Sequence, residues 1–117
     1  MNVAQPLVQA GLLGEAIDAG PALVFVADEE TQFVAVNETA CLALGYEREE
    51  LLGMRATDVS AAEDAPEAFA RMVAAGEAAG RGRLVRKDGS TFEVEYRSSR
   101  ATVANMTFYV SVALVVG

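Results

Sequence analysis

Two spacings of hydrophobic residues divide the chain. From Phe92 to Arg97 they alternate one by one, with Phe92, Val94 and Tyr96 set against Glu93, Glu95 and Arg97. That period of two predicts a strand with one buried and one wet face. The stretch Met106 to Val116 repeats it, with Phe108, Val110, Val112 and Leu114 on one face and Tyr109, Ser111, Ala113 and Val115 on the other. Ala22 to Asp28 is apolar almost throughout, as in a strand buried on both faces. The polar turn 29–32 and the run Phe33 to Val36 make it half of a hairpin. Gly82 to Lys87 and Thr91 to Ala101 form a second hairpin through Asp88-Gly89, a strong turn signal. For that hairpin, a two-residue loop pairs Val85 with Phe92, and a three-residue loop pairs Leu84 with Val94.

Helical spacing governs the remainder. Residues 6–19 place Leu7, Val8, Leu12, Leu13 and Ile17 on an apolar stripe with Glu15 and Asp18 off it, and Gly20-Pro21 stops the helix. Pro6 suits a first helical turn, where its missing N–H has no partner to lose. Asn37 caps a short helix, Glu38 to Leu44, that Gly45 ends. Glu47 to Leu52 forms the next, closed by Gly53, and Met54 to Asp64 is a loop or a single turn. Ala65 to Ala79 is the longest internal helix, with Ala65, Ala68, Phe69, Met72 and Val73 on one face and Gly80 after it. Two strands, then helices, then three strands predict an α+β domain: an antiparallel five-stranded sheet with its helices gathered on one face.

Composition narrows the function. At 117 residues and 52% hydrophobic, the chain is one domain with a single core. A net charge of −8 argues against nucleic acid, whose binders carry basic patches. The longest apolar run is too short to span a bilayer, and the N-terminus lacks a signal peptide's positive region. Cys41 is the only cysteine, so no intrachain disulfide forms; a cytoplasmic location follows as the expectation. Histidine is absent, which removes the commonest general base, metal ligand and haem ligand. The acidic clusters lie at turns and helix starts, where they match helix dipoles, so no catalytic residue and no metal site is expected.

The stretch 37–53, NETACLALGYEREELLG, together with 86–99, RKDGSTFEVEYRSS, resembles the PAS domain family of signalling proteins. The resemblance covers residues 17–116 and divides the chain into an N-terminal cap or dimerisation helix, 1–20, and a PAS domain, 21–117. It implies a PAS-like fold and a non-catalytic sensory role in a bacterial signal-transduction protein, such as one of a two-component system. It also favours pairing Leu84 with Val94, and it implies that Glu47, standing where the family has serine or threonine, starts its helix weakly. Haem-binding members place a histidine on the long helix, where this chain has Phe69, Met72 and Val73. Light-sensing flavin members carry a reactive cysteine where this chain has Ala56. They hold the flavin edge with amides at positions that here are Leu84, Val94 and Val112. Neither haem nor flavin is therefore expected. Cys41 matches neither chromophore-anchoring scheme and reads as a small helix-packing hydrophobe.

What the resemblance leaves is an apolar pocket between sheet and helices and a surface for self-association. Phe25, Ala27, Ala40, Ala43, Ala56, Phe69, Met72, Leu84, Val94 and Val112 are the candidate pocket residues, for a small apolar ligand such as a fatty acid. The alternative is a filled core, in which the small residues simply let the helices approach the sheet. With Val112 facing the helices, as the family alignment implies, Tyr109 and Val115 face outward beside Val24 and Val26. These four, with Leu7, Val8, Leu12, Leu13 and Ile17, are the candidate homodimer interface.

Overall fold

The computed structural model describes residues 6–116, apart from the side chains of residues 6, 7 and 10. Helix α1 spans Pro6–Asp18. Strands β1 (Leu23–Ala27) and β2 (Phe33–Val36) form the first hairpin. Helices α2 (Glu38–Leu44) and α3 (Arg48–Leu51) follow, then a single 3₁₀ turn, Ala56–Asp58, and α4 (Ala65–Ala75). Strands β3 (Glu77–Val85), β4 (Thr91–Val103) and β5 (Met106–Val115) complete one antiparallel sheet of order β2-β1-β5-β4-β3. The first and last strands of the sequence are thus neighbours within the sheet.

The core lies between the sheet and α2, α3 and the 3₁₀ turn. Leu23, Phe25, Ala27, Phe33, Val36, Ala40, Leu44, Leu51, Val59, Val94 and Ala113 form one buried cluster. The Phe25 and Phe33 rings stack at 5.2 Å. Asn37 ties three elements together and is only 5% exposed. Its Oδ1 accepts from the Ala40 N–H, capping α2, and from the Val24 N–H of β1; its Nδ2 donates to the Ile17 and Ala22 carbonyls. Every polar valence of the amide is used, so a buried polar group costs nothing in unmade bonds. Asp18 adds a second tie, accepting from the Glu38 N–H at 3.0 Å and from the Arg48 guanidinium at 2.7 Å. The last turn of α1 is thereby fixed to the domain.

Helix α4 stops earlier than its sequence predicts. Two glycines could end it, and the first does: Gly76 adopts φ +82° and its N–H bonds to the Met72 carbonyl. Arg100 decides the matter. Its N–H donates to the Gly76 carbonyl, its guanidinium donates to the Val73 carbonyl, and that guanidinium occupies the space that a Cβ at residue 76 would need. A cation at the helix C-terminus also suits the dipole. Residues 77–79 then join β3, opposite 97–99 of β4.

Five residues, 86–90, join β3 to β4, and the strands pair Leu84 with Phe92 and Gly82 with Val94. This corrects the expected Leu84–Val94 pairing: the Arg86 N–H bonds to the Ser90 carbonyl, and these two residues close the ladder. The loop docks on the helices. The Lys87 N–H donates to the Leu44 carbonyl, Arg86 Nε to the Ala43 carbonyl, and Lys87 Nζ meets a Glu50 carboxylate oxygen at 2.8 Å. Glu50 also accepts from the Glu47 N–H, so α3 gains from its third residue part of the capping that Glu47 was expected to weaken.

The β4–β5 turn sets the parity of the last strand. Ala104 and Asn105 both have positive φ, 52° and 63°, the two-residue turn whose twist suits a hairpin. It pairs Val103 with Met106, and the register then places Ala113 opposite Tyr96 and Ser111 opposite Ser98. Tyr96 and Ser98 face inward with Val94, so Tyr109, Ser111 and Ala113 face inward too. The expectation for β5 is therefore inverted. Val112 is 42% exposed on the outer face, while Tyr109 is 4% exposed beneath the helices. Val115 shares the inner parity, opposite Val94, and is exposed only because the strand ends there.

Two outcomes follow. Asn37→Ala removes the partner of the Val24 and Ala40 N–H groups and of the Ala22 carbonyl, while Ile17 keeps the Gly20 N–H, and should lower the unfolding free energy by about 2–4 kcal/mol in denaturant melts. A loss below about 1 kcal/mol would mean that water replaces those bonds. The second concerns the Glu50–Lys87 pair. Hydrogen bonds from Lys87 and from the Glu47 backbone hold the Glu50 carboxyl below its ordinary 4.5, so its contribution is present above that value and lost as pH falls through the folded pKa. The Glu50 carboxylate raises Lys87 above 10.5, so that share is lost only as pH rises through the higher folded value. In an NMR titration, Lys87→Met should move the Glu50 midpoint upward; an unmoved midpoint contradicts the coupling.

Candidate functional site

The sheet has two faces, and they differ in kind. On the inner face Phe25, Ala27, Phe33, Ala56, Phe69, Met72, Tyr109 and Ser111 surround a cavity whose mouth carries Asp28 and Thr31. Its volume is about 20 Å³. A buried water needs about 10–15 Å³ on this measure, whereas a cavity that takes a benzene is about 150 Å³. The space holds a water and nothing larger.

Five of the residues singled out in the sequence, Phe25, Ala27, Ala56, Phe69 and Met72, line this cavity. Ala40 and Val94 are buried in the core cluster, and Ala43 and Leu84 pack against it, none of them on the cavity wall. Val112 lies on the opposite face of the sheet. The wall also carries more polar chemistry than the pattern suggested. The hydroxyls of Ser98 and Ser111 bond to each other at 2.6 Å across β4 and β5, and Tyr109 contributes to the lining. Ser98 was legible as a member of the series Phe92, Val94, Tyr96, Ser98. Ser111 and Tyr109 were not, because their side of the sheet depends on the hairpin register.

Thr31 enters the cavity mouth with a positive φ of 67°, uncommon for a β-branched residue. Asp28 holds this turn by accepting from the Glu30 and Gln32 N–H groups, and the Thr31 carbonyl accepts from the Ala56 N–H. The turn is thus anchored on both sides. Cys41 lies half-buried on α2, away from this cavity, and burial raises its thiol pKa despite the opposing charge of Arg48. A raised pKa keeps the thiol protonated at neutral pH and weak as a nucleophile. Among the described residues no group of histidine, cysteine and carboxylate side chains could hold a metal ion.

The outer face is apolar at its centre and charged at its side. Val24 pairs with Val112 and Val26 with Val110, and facing residues in a ladder share a face, so these four form one patch that Leu114 extends. Across β4, Val112 lies opposite Arg97 and Leu114 opposite Glu95. An open groove runs here between Glu95, Arg97 and Ser99 on one strand and Val110, Val112 and Leu114 on the next. Beyond it Arg81 meets Glu95 at 3.2 Å and Arg83 meets Glu93 at 3.3 Å.

Helix α1 leaves its apolar side chains uncovered. Leu12 is 57% and Leu13 63% exposed, with Val8 and Ile17 exposed as well; the side chain of Leu7 lies outside the described residues. At about 100° per residue, Val8 and Leu12 point one way and Leu13 and Ile17 another. The apolar sector is therefore broad rather than a narrow stripe, and the helix is only weakly amphipathic.

Known proteins share this architecture. A PAS domain structure from a two-component sensor histidine kinase superposes with TM-score 0.82 at 20% identity, covering 96% of this chain and all of that one. The PAS domain of an HTR-like protein from Haloarcula marismortui gives 0.83 at 22% identity over 92% of each chain. An RNA-binding light-oxygen-voltage receptor gives 0.82 at 22% identity, covering 98% of this chain and 35% of that one. At such identities the likeness is one of fold. A search of curated proteins gave no match. The PAS domain family model matches residues 21–116, from just before β1 to just after β5, and the chain belongs to the PAS domain family.

Proposed function

We propose that this chain is a non-catalytic sensory and association domain of a signal-transduction protein, acting as a homodimer with a filled core. The observation that carries the reading is the coexistence of two apolar surfaces open to solvent, the broad sector of α1 and the outer-face patch in which Val112 and Leu114 are exposed and Val24, Val26 and Val110 half-buried. An apolar helix surface is stable when it is buried, and a second copy supplies what this copy lacks. Each aliphatic side chain taken fully from water contributes about 1.5–3 kcal/mol, so even partial burial of four or five offsets much of the cost of association. The fold neighbours from a sensor histidine kinase and an HTR-like protein support the signalling context. Among the described residues no helix is long and apolar enough to cross a membrane.

The filled core rests on the cavity. A fatty acid or aromatic ligand needs several times the space present, and the hydroxyls of Ser98 and Ser111 satisfy each other instead of waiting for a guest. Ala56→Leu discriminates between the readings. In a filled core it overpacks the cavity wall and should lower the unfolding free energy by about 1–3 kcal/mol. An unchanged or raised melting temperature would favour a larger space and a ligand.

For association, the intact chain should sediment as a dimer. Leu12→Asp or Val112→Asp should each weaken the dimer by about tenfold or more, because each places a carboxylate in an apolar contact. Both positions are exposed in the single chain, so circular dichroism should show an unchanged fold. An intact chain that remains monomeric at millimolar concentration (an association weaker than about 4 kcal/mol) overturns the reading.

A further inference from the structure

We infer that Glu15 of α1 pairs with Arg97 on the outer sheet face of a second copy, fixing where the helix docks. The inference rests on the homodimer proposed above. Glu15 and Asp18 are the only ionisable side chains of α1. Asp18 is committed to Arg48 and the Glu38 N–H of its own chain. The Glu15 carboxylate makes no ion pair or hydrogen bond among the described residues, and the apolar Leu12 lies one turn from it on the same side of the helix. Burying such a helix strands a carboxylate unless a cation meets it, and the penalty for an unpaired buried charge is large.

The outer face offers one such cation. Arg81 and Arg83 are paired with Glu95 and Glu93. Arg97, among the described residues, has no carboxylate partner, and it lines the same groove as Val110, Val112 and Leu114. In the row across the sheet it stands between Ala79 and Val112, with Val24 beyond, so apolar surface flanks it. The free anion lies on an apolar helix and the free cation in an apolar groove, and each is what the other surface lacks. Among the described residues, no side chain of α1 lines this groove within one chain. The last turn of the helix is tied to Asn37, to the Glu38 N–H of α2 and to Arg48 of α3, and its apolar residues stay exposed, as do Val112 and Leu114 of the groove. A two-fold axis makes the pair twice per dimer, which doubles the effect of any change.

The test is a charge-reversal cycle on the intact chain, read as dimer dissociation constants by sedimentation equilibrium. Glu15→Arg and Arg97→Glu should each raise the constant about tenfold or more, and the double reversal should return it to within about threefold of the original. The neutral cycle of Glu15→Gln and Arg97→Gln should show the same coupling, declining as salt rises. If either single reversal leaves the constant unchanged, or the double variant is as weak as the weaker single, the pairing is wrong. Should that happen while Val112→Asp still dissociates the dimer, the association reading stands without this contact. A wild-type chain that is monomeric overturns both.

Discussion

A two-residue turn settles what both faces of this sheet are made of. Ala104 and Asn105, each with positive φ, close β4 on β5 so that Val103 faces Met106. Side chains in a strand alternate with period two, so a slip of one residue would exchange every inner and outer position of β5. In the register observed, Tyr109, Ser111 and Ala113 complete the inner wall, and β1 is aligned to match, with Phe25 opposite Ser111 and Val24 opposite Val112. The inner cavity, the hydroxyl pair of Ser98 and Ser111 and the outer apolar patch all descend from this single register. Ala104 bears a cost in backbone strain for it, since alanine lacks the local hydrogen bonding that eases asparagine into a left-handed conformation.

The helical half hangs on a comparable economy. Asn37 caps α2, bonds the β1 backbone and holds the final carbonyls before and after Gly20, while Asp18 takes both a backbone N–H and Arg48. Such saturated polar centres specify direction as well as stability, because no neighbouring geometry satisfies all the bonds at once. The consequence for α1 is a fixed base and an uncovered body. A helix anchored at one end, with Val8, Leu12, Leu13 and Ile17 exposed, presents its surface to whatever lies beyond the domain.

The two faces therefore suit different tasks. Inside, dense packing around a cavity of about 20 Å³ leaves little for a ligand to do that the side chains do not already do for one another. Outside, valines at the centre of the sheet lie beside a strand carrying charge, and the rim pairs Arg81–Glu95 and Arg83–Glu93 are exposed and worth little energetically. Their use is to exclude wrong partners and fix register, while the apolar centre supplies the affinity.

The element order was legible because each element obeys a local rule. Phe33–Val36 and Glu38–Leu44 have the bounds their sequence predicts, since an asparagine cap and a glycine stop act on the nearest turn and need no tertiary partner. The resemblance carried by residues 37–53 and 86–99 extended this to the family. Three features depended on more than the local hydrophobic pattern. Gly76 rather than Gly80 ends α4 because Arg100, from a strand far along the chain, caps it and extends β3. The Leu84–Phe92 pairing follows from where the Arg86–Ser90 bond closes the loop. The alternation of β5 was plain in its residues, but which half faced inward was not, for both halves are largely apolar and hydrophobicity alone gives neither preference. Sequence determined the period of that strand; only the hairpin joining it to β4, and the alignment of β1 beside it, decided its phase.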